Sequence, residues 1–217
     1  EHASVFKQYL AEDSDKMFIR LANLCKHHNK KVTYPGSTAL DAFFRQVALE
    51  LVSTERSEES NIHTFKFFIK KFFDMLDSQA GSNMREISIA IRGFGSFAGP
   101  MLMYMGVDEL KKVFMKLLQY SDKFFAGDFE VYEAIHHLPS FLNAFANISL
   151  QLGHVDDVHL EHLERLTSAV FVYFPQINLS RGLQIEHNRA LSRLFVSLFS
   201  AGAALQSLLS KIGSQPL

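Results

Sequence analysis

Apolar residues recur three or four positions apart along almost the whole chain. From Ile62 one stripe runs through Phe65, Phe68, Ile69, Phe72, Phe73 and Leu76, while Lys66, Lys70, Asp74 and Asp77 take the opposite face. Leu110, Val113, Phe114, Leu117, Leu118 and Ser121 form a second stripe, and Phe141, Leu142, Phe145, Ile148, Ser149 and Leu152 a third. No segment alternates with period two between hairpin turns, so no sheet is expected. The pattern predicts helices over 12–26, 35–52, 61–78, 84–98, 107–124, 139–152, 157–173 and 184–200. A short helix is expected before them and another within 203–213. Two starts carry capping signals: Pro35 precedes Thr38 and Asp41, and Asn83 stands three residues before Glu86. Gly99-Pro100 reads as a helix end, 53–60 as a polar loop between units, and Ala126–Pro139 as the longest irregular stretch.

Alternate helices start at intervals of roughly 45–55 residues, near the ~40–47 residue period of HEAT and armadillo arrays. A helix pair of this size cannot bury its apolar face alone and stacks on its neighbours. The second helices (ISIAIRGFGSFAG, SRLFVSLFSAGAAL) are apolar on most sides, as an inner, doubly covered row requires. The expected fold is all-α: an α-solenoid of HEAT-like antiparallel helix pairs, about four of them with partial end helices. Residues 1–217 form one repeat segment. Its opening at Glu1 and its end at Pro216-Leu217 read as those of a piece of a much larger chain.

Composition narrows the function classes. Hydrophobic residues make up 47 %, which excludes intrinsic disorder. Lys and Arg total 22 against 23 Asp and Glu, so a strongly basic nucleic-acid module is excluded while a local basic stripe is not. One cysteine, Cys25, rules out a disulfide framework and a multi-cysteine zinc site. The uncharged run from Leu194 to Ser210 is interrupted by four serines, Gly202 and Gln206, so it reads as helix, turn and helix rather than a membrane span.

Candidate chemistry is sparse. Gly93, Gly95 and Gly99 superficially resemble a phosphate loop, but their spacing is G-x-G-x-x-x-G and a helix precedes them, so close helix packing is the better account. His154, His159 and His162 lie near Asp156 and Asp157, yet the 159/162 pair supplies at most two zinc ligands. His159 reads as a satisfied, half-buried core histidine. Cys25 stands beside Lys26 and His27, groups that can lower a thiol pKa, but nothing locally orients a base, and no G-x-S-x-G elbow or protein-kinase motif is present. No catalytic, metal or cofactor residue is assigned. Lysines stripe three places: Lys26 to Lys31 in a turn, Lys66, Lys70 and Lys71 on one helix, and Lys111, Lys112 and Lys116 on another. Lys30, Lys31, Lys70 and Lys71 are the candidate contacts to a DNA backbone, which such a stripe meets without reading bases. Ser78, in the dipeptide Ser78-Gln79, is the candidate phosphorylation site.

The run Arg85-Glu86-Ile87-Ser88-Ile89-Ala90-Ile91-Arg92-Gly93-Phe94-Gly95-Ser96-Phe97-Ala98-Gly99-Pro100 resembles a stretch in the N-terminal HEAT-repeat arms of DNA-dependent protein kinase catalytic subunits, within the phosphatidylinositol 3-kinase-related kinase family. Leu138-Pro139-Ser140-Phe141-Leu142, Leu160-Glu161-His162-Leu163, Phe174-Pro175-Gln176 and His2-Ala3-Ser4 extend the resemblance in the same order. Over 12–35, 101–135 and 178–217 the sequence departs from the pattern, and surface contacts do not carry over there.

The resemblance implies a nuclear segment of a large serine/threonine kinase acting in double-strand break repair by non-homologous end joining. It further implies a non-catalytic scaffold, helping form a cradle for double-stranded DNA ends and the Ku heterodimer, with the kinase active site outside this chain and the rest of the parent chain as its partner. Arg85, Arg92 and Gly93 match the motif and are read as helix–helix contacts. The alternative from the residues themselves is a stand-alone HEAT/armadillo-type adaptor binding a peptide.

Overall fold

The structure is a computed structural model that describes residues 2–53, 58–77, 84–125, 131–173 and 181–200, with side chains described for 14–53 except Tyr34, 58–77, 85–122, 136–166 and 181–200. All of its regular structure is helical. In chain order the helices are α1 (His2–Cys25), α2 (Lys30–Leu51), α3 (Glu58–Asp77), α4 (Met84–Ser96), α5 (Ala98–Met105), α6 (Val107–Phe125), α7 (Val131–Leu152), α8 (Asp157–Tyr173) and α9 (Arg181–Ser200).

The helices pack in two rows. α2, α4, α7 and α9 form a continuous inner row, in which α7 meets α4 on one side and α9 on the other. α1 and α3 pair with α2 and α4, and α6 packs against α7 while also carrying α8. This is the expected all-α solenoid, stacked unit on neighbouring unit.

The three stripes explain the packing. On α3, Phe65, Phe68, Ile69, Phe72 and Leu76 are buried, while Lys66, Lys70, Asp74 and Asp77 are exposed. The α6 and α7 stripes are buried at every position. Phenylalanine supplies the largest fully buried side chains. Phe72 is fully enclosed by Phe18, Phe44, Phe68, Phe94 and Phe97, with ring centroids 5.3–6.3 Å apart and mostly edge-to-face. Such tilted arrangements are what the ring quadrupole favours. This cluster takes side chains from α1, α2, α3 and α4 and fuses the first two pairs into one core.

Several boundaries differ from the sequence expectation. α1 is one helix from His2, not a short helix followed by another. α2 begins at Lys30, because Asn29 caps it by accepting a hydrogen bond from the Lys31 N–H, so Pro35 lies inside the helix and Thr38 is no N-cap. Pro139 likewise lies within α7, which starts at Val131, so the supposed irregular stretch is helical over 131–139. A proline removes one backbone hydrogen bond, and packed turns on either side outweigh that loss. Gly99-Pro100 does not end a helix either: both residues sit in the first turn of α5. The chain bends at Phe97, where Pro100 offers no N–H to the Ser96 carbonyl.

One expectation about layering also needs correction. α9 is not doubly covered over its described residues. Leu194, Ser197 and Leu198 face α7, but Val196 and Phe199 are 66 % and 77 % exposed. The helix placed within 203–213 and the capping residue Asn83 lie outside the described residues.

Candidate functional site

The basic corner is built where the α1–α2 turn meets the start of α4. Arg85, in the first turn of α4, donates from one guanidinium nitrogen to the carbonyls of Lys26 (3.1 Å) and His27 (3.2 Å). Lys26 pairs with Glu86. The turn is tightened further by the Thr33 hydroxyl, which donates to the His27 carbonyl at 2.6 Å. Two cations of the turn region are thus spent on holding it in place. Lys30 and Lys31, at the start of α2, stay exposed.

On α3, Lys70 is exposed, and the Lys71 ammonium lies 5.9 Å from the centroid of the Phe67 ring. The third lysine stripe is neutralised by acids. Lys111 pairs with Asp156 at 2.9 Å, Lys112 with Glu109 at 2.5 Å and Lys116 with Asp77 at 3.0 Å. Of the three lysine stripes, the one on α6 is paired with acids, whereas Lys30, Lys31, Lys66 and Lys70 stay exposed on α2 and α3. Ser78 lies outside the described residues.

Two of the three glycines are packing devices, while Gly99 has nothing within 4 Å of its missing Cβ. A Cβ on Gly93 would lie 2.3 Å from the Phe72 ring, and one on Gly95 would lie 2.6 Å from the Ala144 backbone of α7. Only hydrogen fits at either position, which lets α4 press against α3 and α7 together.

The histidines serve the α6–α8 contact. His159 is buried, not half-buried; its ring stacks on Phe114 (centroids 5.2 Å apart, 12° between planes), and Nε2 lies 3.3 Å from the Lys111 carbonyl. A carbonyl only accepts, so Nε2 carries the proton. His162 Nδ1 lies 2.6 Å from an Asp122 carboxylate oxygen. Among the described residues no three His, Cys, Asp or Glu side chains converge as a metal site. Cys25 is buried, with its thiol pushed up chiefly by burial, the reverse of an activated nucleophile.

Arg92, read from the sequence as a helix–helix contact, centres a polar cluster in the inner row whose partners the sequence does not reveal. Arg92 of α4 donates through Nε to the Ser140 hydroxyl of α7 at 2.9 Å, and a terminal nitrogen lies 3.5 Å from an Asp41 carboxylate oxygen on α2. One side chain thereby ties three inner helices. Burial raises the Asp41 carboxyl above its ordinary range, and Arg92 opposes the shift. His137, nearby on α7, has a sealed Nδ1 without a hydrogen-bond partner, and burial followed by the Arg92 charge pushes it down to about 4. The spacing of Asp41 from Thr38 imitates a capping box, which hides its contact with Arg92 in the sequence.

The fold and these contacts define a class: a stacked helical-repeat protein whose distinctive polar side chains hold helix to helix. The family described as DNA-PKcs, N-terminal, matches residues 1–217. The DNA-dependent protein kinase catalytic subunit of Dictyostelium discoideum is 39 % identical over 211 residues, covering 97 % of this chain and 5 % of that protein. The proteins of the same name from Xenopus laevis and Canis lupus familiaris are 30 % and 29 % identical over 217 residues, again covering 5 % of their lengths. The chain belongs to the DNA-PKcs N-terminal family, and it spans about a twentieth of the length of the curated relatives it matches. No helix among the described residues is long and apolar enough to cross a membrane.

Proposed function

We propose that residues 1–217 are a non-catalytic helical-repeat scaffold within a large serine/threonine kinase that repairs DNA double-strand breaks by non-homologous end joining. In this reading the segment acts in the nucleus as part of an arm that cradles duplex DNA ends with the Ku heterodimer. The rest of the parent chain, including the kinase active site, lies outside it. The observation that carries the reading is the family match across the whole chain, with relatives named as DNA-dependent protein kinase catalytic subunits. The use of Arg85, Arg92, Gly93 and Gly95 as packing and clamping residues supports a structural role for the most distinctive stretch of sequence.

Lys30, Lys31, Lys70 and Lys71 are the proposed contacts to the DNA backbone. Phosphate contacts release counterions, so each contributes to a linear fall of log affinity with log salt. Reversing all four charges in the full-length protein is expected to weaken binding to duplex ends and to flatten its salt dependence. Unchanged affinity and slope would remove these lysines from the proposed interface.

A further inference from the structure

The bend between α4 and α5 is held from outside. Asn147 of α7 donates from Nδ2 to the Gly95 carbonyl at 3.1 Å, two residues before the bend at Phe97. The same amide accepts at its Oδ1 from Arg193 of α9, at 2.7 Å. α4 and α9 lie on opposite sides of α7, so this line of two hydrogen bonds joins inner helices that flank a common neighbour.

The chemistry sets a direction. An amide turned over by half a rotation would set its oxygen against the Gly95 carbonyl, oxygen to oxygen. Arg193, a donor only, selects the orientation that leaves Nδ2 facing Gly95. Its charge also polarises the amide, strengthening Nδ2 as a donor.

Just past the bend, α5 carries Tyr104, whose hydroxyl donates to the Leu51 carbonyl in the last turn of α2 at 2.5 Å. The ring of Tyr104 also rests on Phe65, with centroids 5.2 Å apart. The placement of α5 thus decides whether the end of α2 and the start of α3 are covered. Gly95 itself is pinned against Ala144 one helical turn before Asn147, so α7 approaches closely enough for the amide to reach.

We propose that Arg193 is a positioning residue which, by orienting Asn147, sets the angle of the Pro100 bend, so that α9 governs the docking of α5 on α2. The line has two arrangements. In one, the amide is held, Gly95 is bonded and α5 is seated. In the other, the amide is released, the bend relaxes and Tyr104 leaves Leu51. Movement of α9 would thereby reach the first helix pair through Phe97, the bend residue that also packs against Phe44, Phe68 and Phe72.

Hydrogen exchange of the full-length protein, read peptide by peptide, tests this. Arg193 is exposed, so Arg193→Leu leaves the core intact; it is expected to speed exchange of the α5 amides about tenfold, the scale of one lost hydrogen bond. The exposed Arg189→Leu on the same helix is expected to leave α5 unchanged. Asn147→Asp supplies the discriminating arm, because a carboxylate still accepts from Arg193 yet has no N–H for Gly95. It is expected to loosen α5 while α9 keeps its protection. Unaltered α5 exchange in Arg193→Leu, or in Asn147→Asp, overturns the proposal, as does equal loosening by Arg189→Leu.

Discussion

Gly93 lies against the edge of the Phe72 ring so closely that a methyl group there would fall 2.3 Å from Cζ. The ring has no room to swing aside, since Phe18, Phe44, Phe68, Phe94 and Phe97 surround it. A sequence that superficially resembles a phosphate loop is thus the point at which α4 enters the aromatic core.

Substitution at the two tight glycines is expected to be costly. Gly93→Ala and Gly95→Ala should each destabilise α3, α4 and α7 by about 1–3 kcal/mol, the usual penalty for overfilling a packed core. Gly182, in the first turn of α9, has nothing within 4 Å of its missing Cβ. Gly182→Ala should be neutral or stabilise by up to about 1 kcal/mol through helix propensity. Native-state hydrogen exchange in the full-length protein measures all three, and an equal effect at Gly93 and Gly182 would contradict the packing argument.

Acid should loosen the α2–α4–α7 junction. Burial and Arg92 push His137 from 6.5 down to about 4, so the folded state favours its neutral form. The stability that this contributes is complete above pH 6.5 and is lost as pH falls from there towards about 4. Asp41 works in the opposite sense: its raised pKa means that the folded state takes up that proton more readily than the unfolded chain. His137→Asn should therefore flatten the loss of α4 and α7 protection between pH 6.5 and 4, after correction for intrinsic exchange rates. An unchanged pH profile in the variant would assign the effect to other groups.

The thiol of Cys25 should be inert in the folded protein. It is 4 % exposed and its pKa is raised by burial, so the reactive thiolate is scarce and shielded. Alkylation of this residue, followed by peptide mass spectrometry, should be slow under native conditions and fast in denaturant. Rapid native labelling would mean that the α1–α2 contact opens readily.

Much of this architecture was legible in the chain itself. The stripes on α3, α6 and α7 identified buried positions well because a helix in a repeat array presents one continuous face to its neighbours. Boundaries near prolines were not legible. Pro35 and Pro139 lie inside helices, where the packing of adjacent turns outweighs one missing hydrogen bond, and Pro100 sits in the first turn of α5, where no intrahelical bond is lost. The Arg92 cluster and the Arg193–Asn147–Gly95 line were hidden for a different reason. Their members come from different repeats, 46–52 positions apart in sequence, and only the stacking period brings them together. The lysine stripes could be counted from sequence, but their distant acidic partners, Asp77 at the end of α3 and Asp156 just before α8, could not.

The central claim is that helix pairs stack side by side with α2, α4, α7 and α9 in one inner row. The most direct test places single cysteines at Asn147 and Arg193 in the full-length protein, treats it with a short bismaleimide cross-linker and maps the linked peptides. A fast, near-complete 147–193 link is expected, with none between position 193 and a cysteine at the exposed position Lys30 on α2. Linkage of 193 to 30, or failure of the 147–193 pair, would contradict the stacked arrangement.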